Sequence, residues 1–118
     1  MSVIHIQGLG GLKGAIEIQG SKNAVLPVMA ASLLHRGITV LRNVPKIQDV
    51  YSMMEILEYL GCELKLEGHS LTIDTGKASG MPIPVEMAGK MRSSIMLLGP
   101  MLGRFREAVT SLPGGCCL

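Results

Sequence analysis

The sequence predicts an α/β fold in which helices cover one face of a sheet, and three observations predict it. Between residues 13 and 75, stretches alternating apolar with polar residues give way to stretches of helical period, in the order strand, helix, strand, helix, strand, strand. Glycine or proline marks the changes, at Gly20, Gly37, Pro45, Gly61 and Gly68. The chain of 118 residues is 47% hydrophobic yet holds only two tyrosines and one phenylalanine as aromatics, so its core must be built from Leu, Ile, Val, Met and Ala.

In chain order, "SVIHI" (2–6) and "KGAIEIQ" (13–19) alternate around the glycine cluster "GLGG" and read as two strands about a turn. "SKNAVLPVMAASLLHR" then takes helical spacing, with Leu26, Met29, Leu33 and Leu34 on one face. Proline is tolerated in a first turn, so the helix is expected to start near Asn23 with Pro27 in that turn. "GITVLRNVP" is a strand. "KIQDVYSMMEILEYLG" places Ile47, Val50, Tyr51, Met54, Leu57 and Leu60 along one helix face and stops at Gly61. "CELKLEGHSLTIDTG" reads as a hairpin folded about Glu67-Gly68-His69. After the loop "KASGMPIPVE", a second long helix is expected over 87–105, interrupted by Pro100 and apolar nearly all round, then a strand "EAVTSL" and a terminal loop "LPGGCCL". The stretch from 87 to 112 thus resembles the opening of another such unit.

Composition excludes several functions. The net charge is +2 with Lys and Arg scattered, and few aromatics exist to stack on bases, so nucleic acid is not an expected partner. No apolar run approaches the roughly 18 residues a bilayer demands, and the first residues lack the pattern of a secretory leader, so a cytoplasmic protein without a membrane partner is expected. Cys62, Cys116 and Cys117 are an odd number without C-x-x-C spacing, and His5, His35 and His69 stand apart. Free thiols are expected, with no metal and no cofactor.

Three clusters have chemical potential. "GSKNA" (20–24) sits at a strand-to-helix junction, where exposed N–H groups attract anions and Lys22 adds a full charge; on spacing alone, Ser21 as an N-cap and Lys22 as a solvated first-turn residue is the favoured account. "KMRSS" (90–94) offers the Arg92 guanidinium for bidentate phosphate or carboxylate recognition, with Ser93 and Ser94 as further donors, although without context a helix whose polar face is basic is the favoured account. In "LPGGCCL" (112–118), Pro113 stiffens the approach while Gly114 and Gly115 allow a ligand to come close. Cys116 there reads as a nucleophile or proton donor, or as an incidental terminal thiol. Cys62 reads as a core residue.

Taken together, "GSKNAVLPVMAASLL", "NVPKIQDV", "MRSSIMLLGPMLGRF" and "LPGGC" resemble the N-terminal part of the UDP-N-acetylglucosamine 1-carboxyvinyltransferase family, within the EPSP synthase superfamily. That resemblance implies an enolpyruvyl-transferase-like fold, an inside-out α/β barrel of two lobes assembled from βαβαββ units, of which this chain holds one unit plus the start of the next. It implies that residues 1–20 are strands of the other lobe and 21–118 an incomplete catalytic lobe ending in the active-site loop. The implied reaction transfers the enolpyruvyl group of phosphoenolpyruvate to the 3-hydroxyl of UDP-N-acetylglucosamine, the first committed step of peptidoglycan synthesis. By the same resemblance, Lys22 and Asn23 would bind phosphoenolpyruvate, Arg92 the sugar nucleotide, and Cys116 would donate the proton to the methylene carbon. Cys117 carries no implied role. Family members continue into arginine and aspartate segments beyond these 118 residues, so a fragment that is silent alone and inclined to self-associate is expected. Two other readings stay open at this level: a 5-enolpyruvylshikimate 3-phosphate synthase-like enzyme, against which "LPGGC" argues, and a non-catalytic α/β module binding an anion or a protein.

Overall fold

The computed structural model describes residues 2–110. Leu118, Cys116, Cys117 and the rest of the "LPGGCCL" loop lie outside the described residues, as does the end of the expected strand "EAVTSL".

The first helix, α1, spans Lys22–Ala31 and is continued by a 3-10 turn, Ser32–Leu34. It starts within a residue of the expected position, but Pro27 is its sixth residue and lies in the second turn. The exception is local: proline has no N–H to give to the carbonyl of Asn23, and its ring sits on the exposed side. Leu26, Met29, Ala30 and Leu33 are buried, whereas Leu34, assigned to the same face from its spacing, is exposed because the tighter 3-10 turn rotates it away.

Strand β1 (Ile38–Leu41) leads to α2 (Gln48–Tyr59), then to β2 (Glu63–Glu67) and β3 (Ser70–Asp74). The expected hairpin is formed, with Glu67 opposite Ser70 and a tight loop of Gly68 and His69. The three strands make an antiparallel sheet in the order β1-β3-β2. Its register aligns Thr39, Ile73 and Leu64, and next to them Leu41, Leu71 and Leu66, on the face covered by the helices; Leu71 and Ile73 are wholly buried there. Ile38, Val40, Glu63, Lys65 and Glu67 are exposed on the other face. One-sided helical cover is therefore as expected.

The buried side of α2 is Val50, Met53, Ile56 and Leu57, with Leu60 just past its end. The sequence face shared Val50, Leu57 and Leu60 but substituted Tyr51 and Met54 for Met53 and Ile56. Two apolar stripes run along this helix, and packing selects the one that leaves the Tyr51 hydroxyl near water, with Tyr51 exposed and Met54 half-buried. Gly61 ends the helix with φ +101°, and a Cβ there would stand 2.8 Å from the Lys77 carbonyl oxygen, so only glycine fits without strain.

Two expectations are corrected. Residues 2–19 form no strands among the described residues; every one of them is exposed, including Val3, Ile4, Ile6, Leu9, Leu12, Ile16 and Ile18. Alternation gives a strand one apolar face, and without a surface to cover that face pairing is not rewarded. The long helix over 87–105 is instead three pieces: α3 (Val85–Ala88), a 3-10 segment (Arg92–Leu97) and α4 (Leu98–Phe105). The break falls at Gly89 to Met91, where Met91 is extended (φ −151°, ψ 141°), and not at Pro100, which sits harmlessly in the first turn of α4. Met91, Leu97 and Met101 are buried while Ile95, Met96 and Leu102 are exposed, so this region is two-sided rather than apolar all round. Of the last expected strand, Thr110 is seen bridging Ile83 in parallel.

Arg104 fixes this second half to the first. Its guanidinium donates to the carbonyls of Leu33 (3.1 Å) and Thr75 (2.5 Å) and lies 5.3 Å from the centroid of the Phe105 ring. The Thr75 hydroxyl in turn donates to the His35 carbonyl. Charge-assisted bonds to two segments of chain, the 3-10 turn after α1 and the residue after β3, hold α4, and with it the 3-10 segment that begins at Arg92, against the first half.

Candidate functional site

The start of α1 is set by a close approach. Gly20 lies against Asn43, whose φ is +56°, so tightly that a Cβ on Gly20 would overlap the Asn43 carbonyl oxygen. Ser21 follows in extended geometry at the N-cap position, and its carbonyl accepts from the N–H groups of Ala24 and Val25. Its hydroxyl makes no capping bond, so the capping account of "GSKNA" holds for the backbone and not for the side chain. Lys22 and Asn23 are the first two helical residues, at the end of α1 that carries partial positive charge.

The Arg92 segment meets this helix end. Lys22, Asn23, Asp49, Lys90, Met91, Arg92 and Ser93 line one cleft of about 440 Å³. Two motifs almost seventy positions apart in sequence (Lys22 and Asn23; Arg92) are thus brought to one place. Ser93 shares the cleft, whereas Ser94 is turned inward and donates to the Ala88 carbonyl at 3.2 Å, a structural use of a hydroxyl that the sequence offered as a ligand donor.

Charge in the cleft is unbalanced toward positive. Among the described residues, Lys22, Lys90 and Arg92 face a single lining carboxylate, Asp49. Asp49 lies in the first turn of α2, favourable for an acid, and accepts from Lys22 Nζ at 3.2 Å. Lys90 pairs with Glu55 at 3.0 Å. Both pairs are partly solvated, and such pairs contribute about 1 kcal/mol or less, so an arriving anion can displace either carboxylate. An ammonium, a guanidinium, an amide and a hydroxyl around a cleft of this size suit a small phosphorylated or carboxylated molecule.

Sequence reasoning missed Asp49 and gave Lys90 no role of its own. Asp49 had a faint signal, an acid opening the helix after "NVPKIQ". Its pairing with Lys22 depends on how α2 packs on α1, which spacing does not encode. Cys116 lies outside the described residues. Cys62 is buried, and burial pushes its thiol up to about 11, with Arg104 pulling it down and Asp74 raising it further, so it is a poor nucleophile. Among the described residues no cluster of three His, Cys, Asp or Glu is arranged to hold a metal ion, and no helix is long and apolar enough to cross a membrane.

Comparison with known proteins bears on the whole chain. It is 40% identical over 116 residues to UDP-N-acetylglucosamine 1-carboxyvinyltransferase 2 of Caldanaerobacter subterraneus subsp. tengcongensis, covering 98% of this chain and 28% of that protein. It is 46% identical over 116 residues to UDP-N-acetylglucosamine 1-carboxyvinyltransferase 1 of Carboxydothermus hydrogenoformans, covering 98% of this chain and 27% of that one. The enzyme of the same name from Halorhodospira halophila is 44% identical, over 100% of this chain and 28% of its own length. The chain thus spans little more than a quarter of these relatives. The crystal structure of the enolpyruvyl transferase NikO from Streptomyces tendae superposes with a TM-score of 0.71 over 79% of this chain and 22% of NikO, at 23% identity, a likeness of fold. Residues 6–118 match the EPSP synthase (3-phosphoshikimate 1-carboxyvinyltransferase) profile, and the chain belongs to that family.

Proposed function

We propose that this chain supplies part of the active site of an enzyme that moves the enolpyruvyl group of phosphoenolpyruvate to the 3-hydroxyl of UDP-N-acetylglucosamine, in the cytoplasm, for peptidoglycan synthesis. The observation that carries the reading is the convergence of Lys22, Asn23 and Arg92 on one cationic cleft at the N-terminus of α1. The names of the relatives support the choice of substrates. Lys22 and Asn23 are assigned to phosphoenolpyruvate, whose phosphate and carboxylate gain most from a cation at a helix start, and Arg92 to the sugar nucleotide.

The chemistry asks for addition and then elimination. The sugar 3-hydroxyl oxygen bonds to the central carbon of phosphoenolpyruvate and gives up its proton while the methylene carbon gains one, a donation assigned to Cys116. The bond from that central carbon to the phosphate oxygen then breaks, the methyl group loses a proton, and phosphate leaves. In the elimination the electron pair of the breaking bond goes to the phosphate oxygen, so negative charge builds on the departing phosphate, and fixed cations beside it lower that barrier. The larger fold is proposed to be the two-lobed, inside-out α/β barrel of βαβαββ units. Residues 1–20 would pair in the other lobe, and the 118 residues by themselves would be silent.

The test is intact mass with peptide mapping after incubating a protein of the relatives' length, carrying this chain, with phosphoenolpyruvate and UDP-N-acetylglucosamine. An adduct on Cys116, absent from Cys116→Ser, is expected. A protein that binds neither substrate and gains no mass would overturn the reading. The 118-residue chain alone should release no phosphate. It should also self-associate through the exposed apolar side chains of residues 3–18, seen as a light-scattering mass that rises with concentration.

A further inference from the structure

We propose that Lys90 is a third cation of the cleft, parked on Glu55 when no ligand is bound and released to a phosphate group when one arrives. The proposal rests on the cleft reading above and extends it to a residue that reading does not use.

Lys90 stands at the break between α3 and the 3-10 segment, between two held neighbours: the Gly89 N–H donates to the Val85 carbonyl at 2.8 Å, and Met91 is 2% exposed in extended backbone. The backbone beside Lys90 is therefore fixed while its own side chain is half-exposed and lines the cleft. Its ammonium is held at 3.0 Å by Glu55, a carboxylate that does not line the cleft. An exposed pair of this kind is weak and screened by salt, whereas a phosphate dianion offers two charges and several acceptor oxygens to the same ammonium.

The charge count agrees. Among the described residues, three lining cations (Lys22, Lys90, Arg92) against one lining carboxylate (Asp49) leave two positive charges, the complement of a phosphate dianion. Without Lys90 the surplus would be one. Glu55 then acts as a placeholder: it keeps Lys90 near the cleft in the free protein and competes with the ligand for it.

A placeholder and a structural ion pair differ in the sign of one effect. Inorganic phosphate is titrated into the 118-residue chain and followed by proton–nitrogen NMR shifts of the cleft residues. Lys90→Gln should weaken binding about fivefold, and Lys90→Arg should hold it within about twofold. Glu55→Gln should tighten binding about twofold or more, because it removes the competitor. Unchanged affinity in Lys90→Gln, or weaker binding in Glu55→Gln, would overturn the proposal. Both residues are exposed, so native spectra are expected for every variant. Repeating the titration with phosphoenolpyruvate and with UDP-N-acetylglucosamine identifies the source of the phosphate by the ligand that shows the same dependence. Dependence with inorganic phosphate and neither substrate marks an adventitious ion only and overturns the assignment. The Cys116 adduct does not involve Lys90, so failure there leaves this result standing, and the reverse also holds.

Discussion

Residues 2–19 and residues 63–74 alternate apolar and polar side chains in the same way, yet only the second pair of stretches becomes a sheet. In β2 and β3, Leu64, Leu66, Leu71 and Ile73 lie under α1 and α2, and β1 adds a third strand. In the N-terminal segment Ile4, Ile6, Ile16 and Ile18 are between 72% and 90% exposed. The lesson is that alternation specifies a face and nothing more. A strand forms where another layer exists to bury that face, because one hairpin alone is marginal in water.

The sharpest way to test this contrast is to delete apolar side chains on each side of it. Leu57→Ala or Ile73→Ala removes a wholly buried side chain and should cost about 2 to 5 kcal/mol in denaturant unfolding. Ile6→Ala and Ile16→Ala in the same chain should change stability by about 0.5 kcal/mol or less. A large cost at Ile16 would mean that the segment packs in solution and that the contrast is false.

What could be read in advance follows the same division. The central unit was legible, since α1, β1, α2 and the hairpin each bury a face against the others and each has a stop of its own, such as Gly61. Finer details depended on neighbours. Tyr51 against Met53, and Leu34 against Ala30, are choices that only packing decides. Local composition also hid the break after Ala88, where the sequence drew attention to Pro100 instead. For the site, residue type and position singled out Lys22, Asn23 and Arg92, but spacing alone favoured a plain helix start and a basic helix face, and only the resemblance attached roles to them. Asp49 and Glu55 were not singled out, because what makes them matter is a partner more than twenty-five positions away.

The stop itself gives the next largest effect. Gly61→Ala places a Cβ at positive φ and against the Lys77 carbonyl, and should cost about 1 to 3 kcal/mol by the same unfolding measurement. It sharpens the contrast, because the glycines of the N-terminal segment, Gly8, Gly10 and Gly14, have open space around them and should accept alanine without loss. Equal costs at Gly61 and Gly10 would remove the distinction.

Burial of Cys62 predicts a pH effect of known sign. Its thiol is raised from near 9 to about 11 by burial, so between those values the unfolded chain releases a proton that the folded chain keeps. Stability contributed by the neutral thiol is complete below the lower value and falls as pH rises toward the upper one, by at most about 1.4 kcal/mol per unit. Unfolding measured at about pH 8 and about pH 10.5 should show a drop that is smaller in Cys62→Ala. An identical drop in the variant would place Cys62 in solvent and outside the packed region.

The smallest effect is expected on the water side of the sheet. Lys65 and Glu67 are two apart on β2, so the pleat puts them on one face, 2.6 Å from nitrogen to oxygen. Their mutual hydrogen bond holds the Glu67 carboxyl below its ordinary range and the Lys65 ammonium above its own. Any stabilisation from the pair is present between the ordinary carboxylate and ammonium values. It fades as pH falls through the lowered carboxyl or rises through the raised ammonium. Both side chains are mostly exposed, at 73% and 69%, where water and salt screen the attraction, so Glu67→Gln should leave the unfolding midpoint unchanged at low and high salt alike. These charges make the face of β2 opposite the core compatible with water, as Glu17 and Gln19 do beside Ile16 and Ile18, so that each stretch needs only one partner layer and only β2 has it. A measurable loss in Glu67→Gln would show that the outward face is itself a source of stability. The difference between the sheet and the N-terminal segment could then no longer be assigned to the buried face alone.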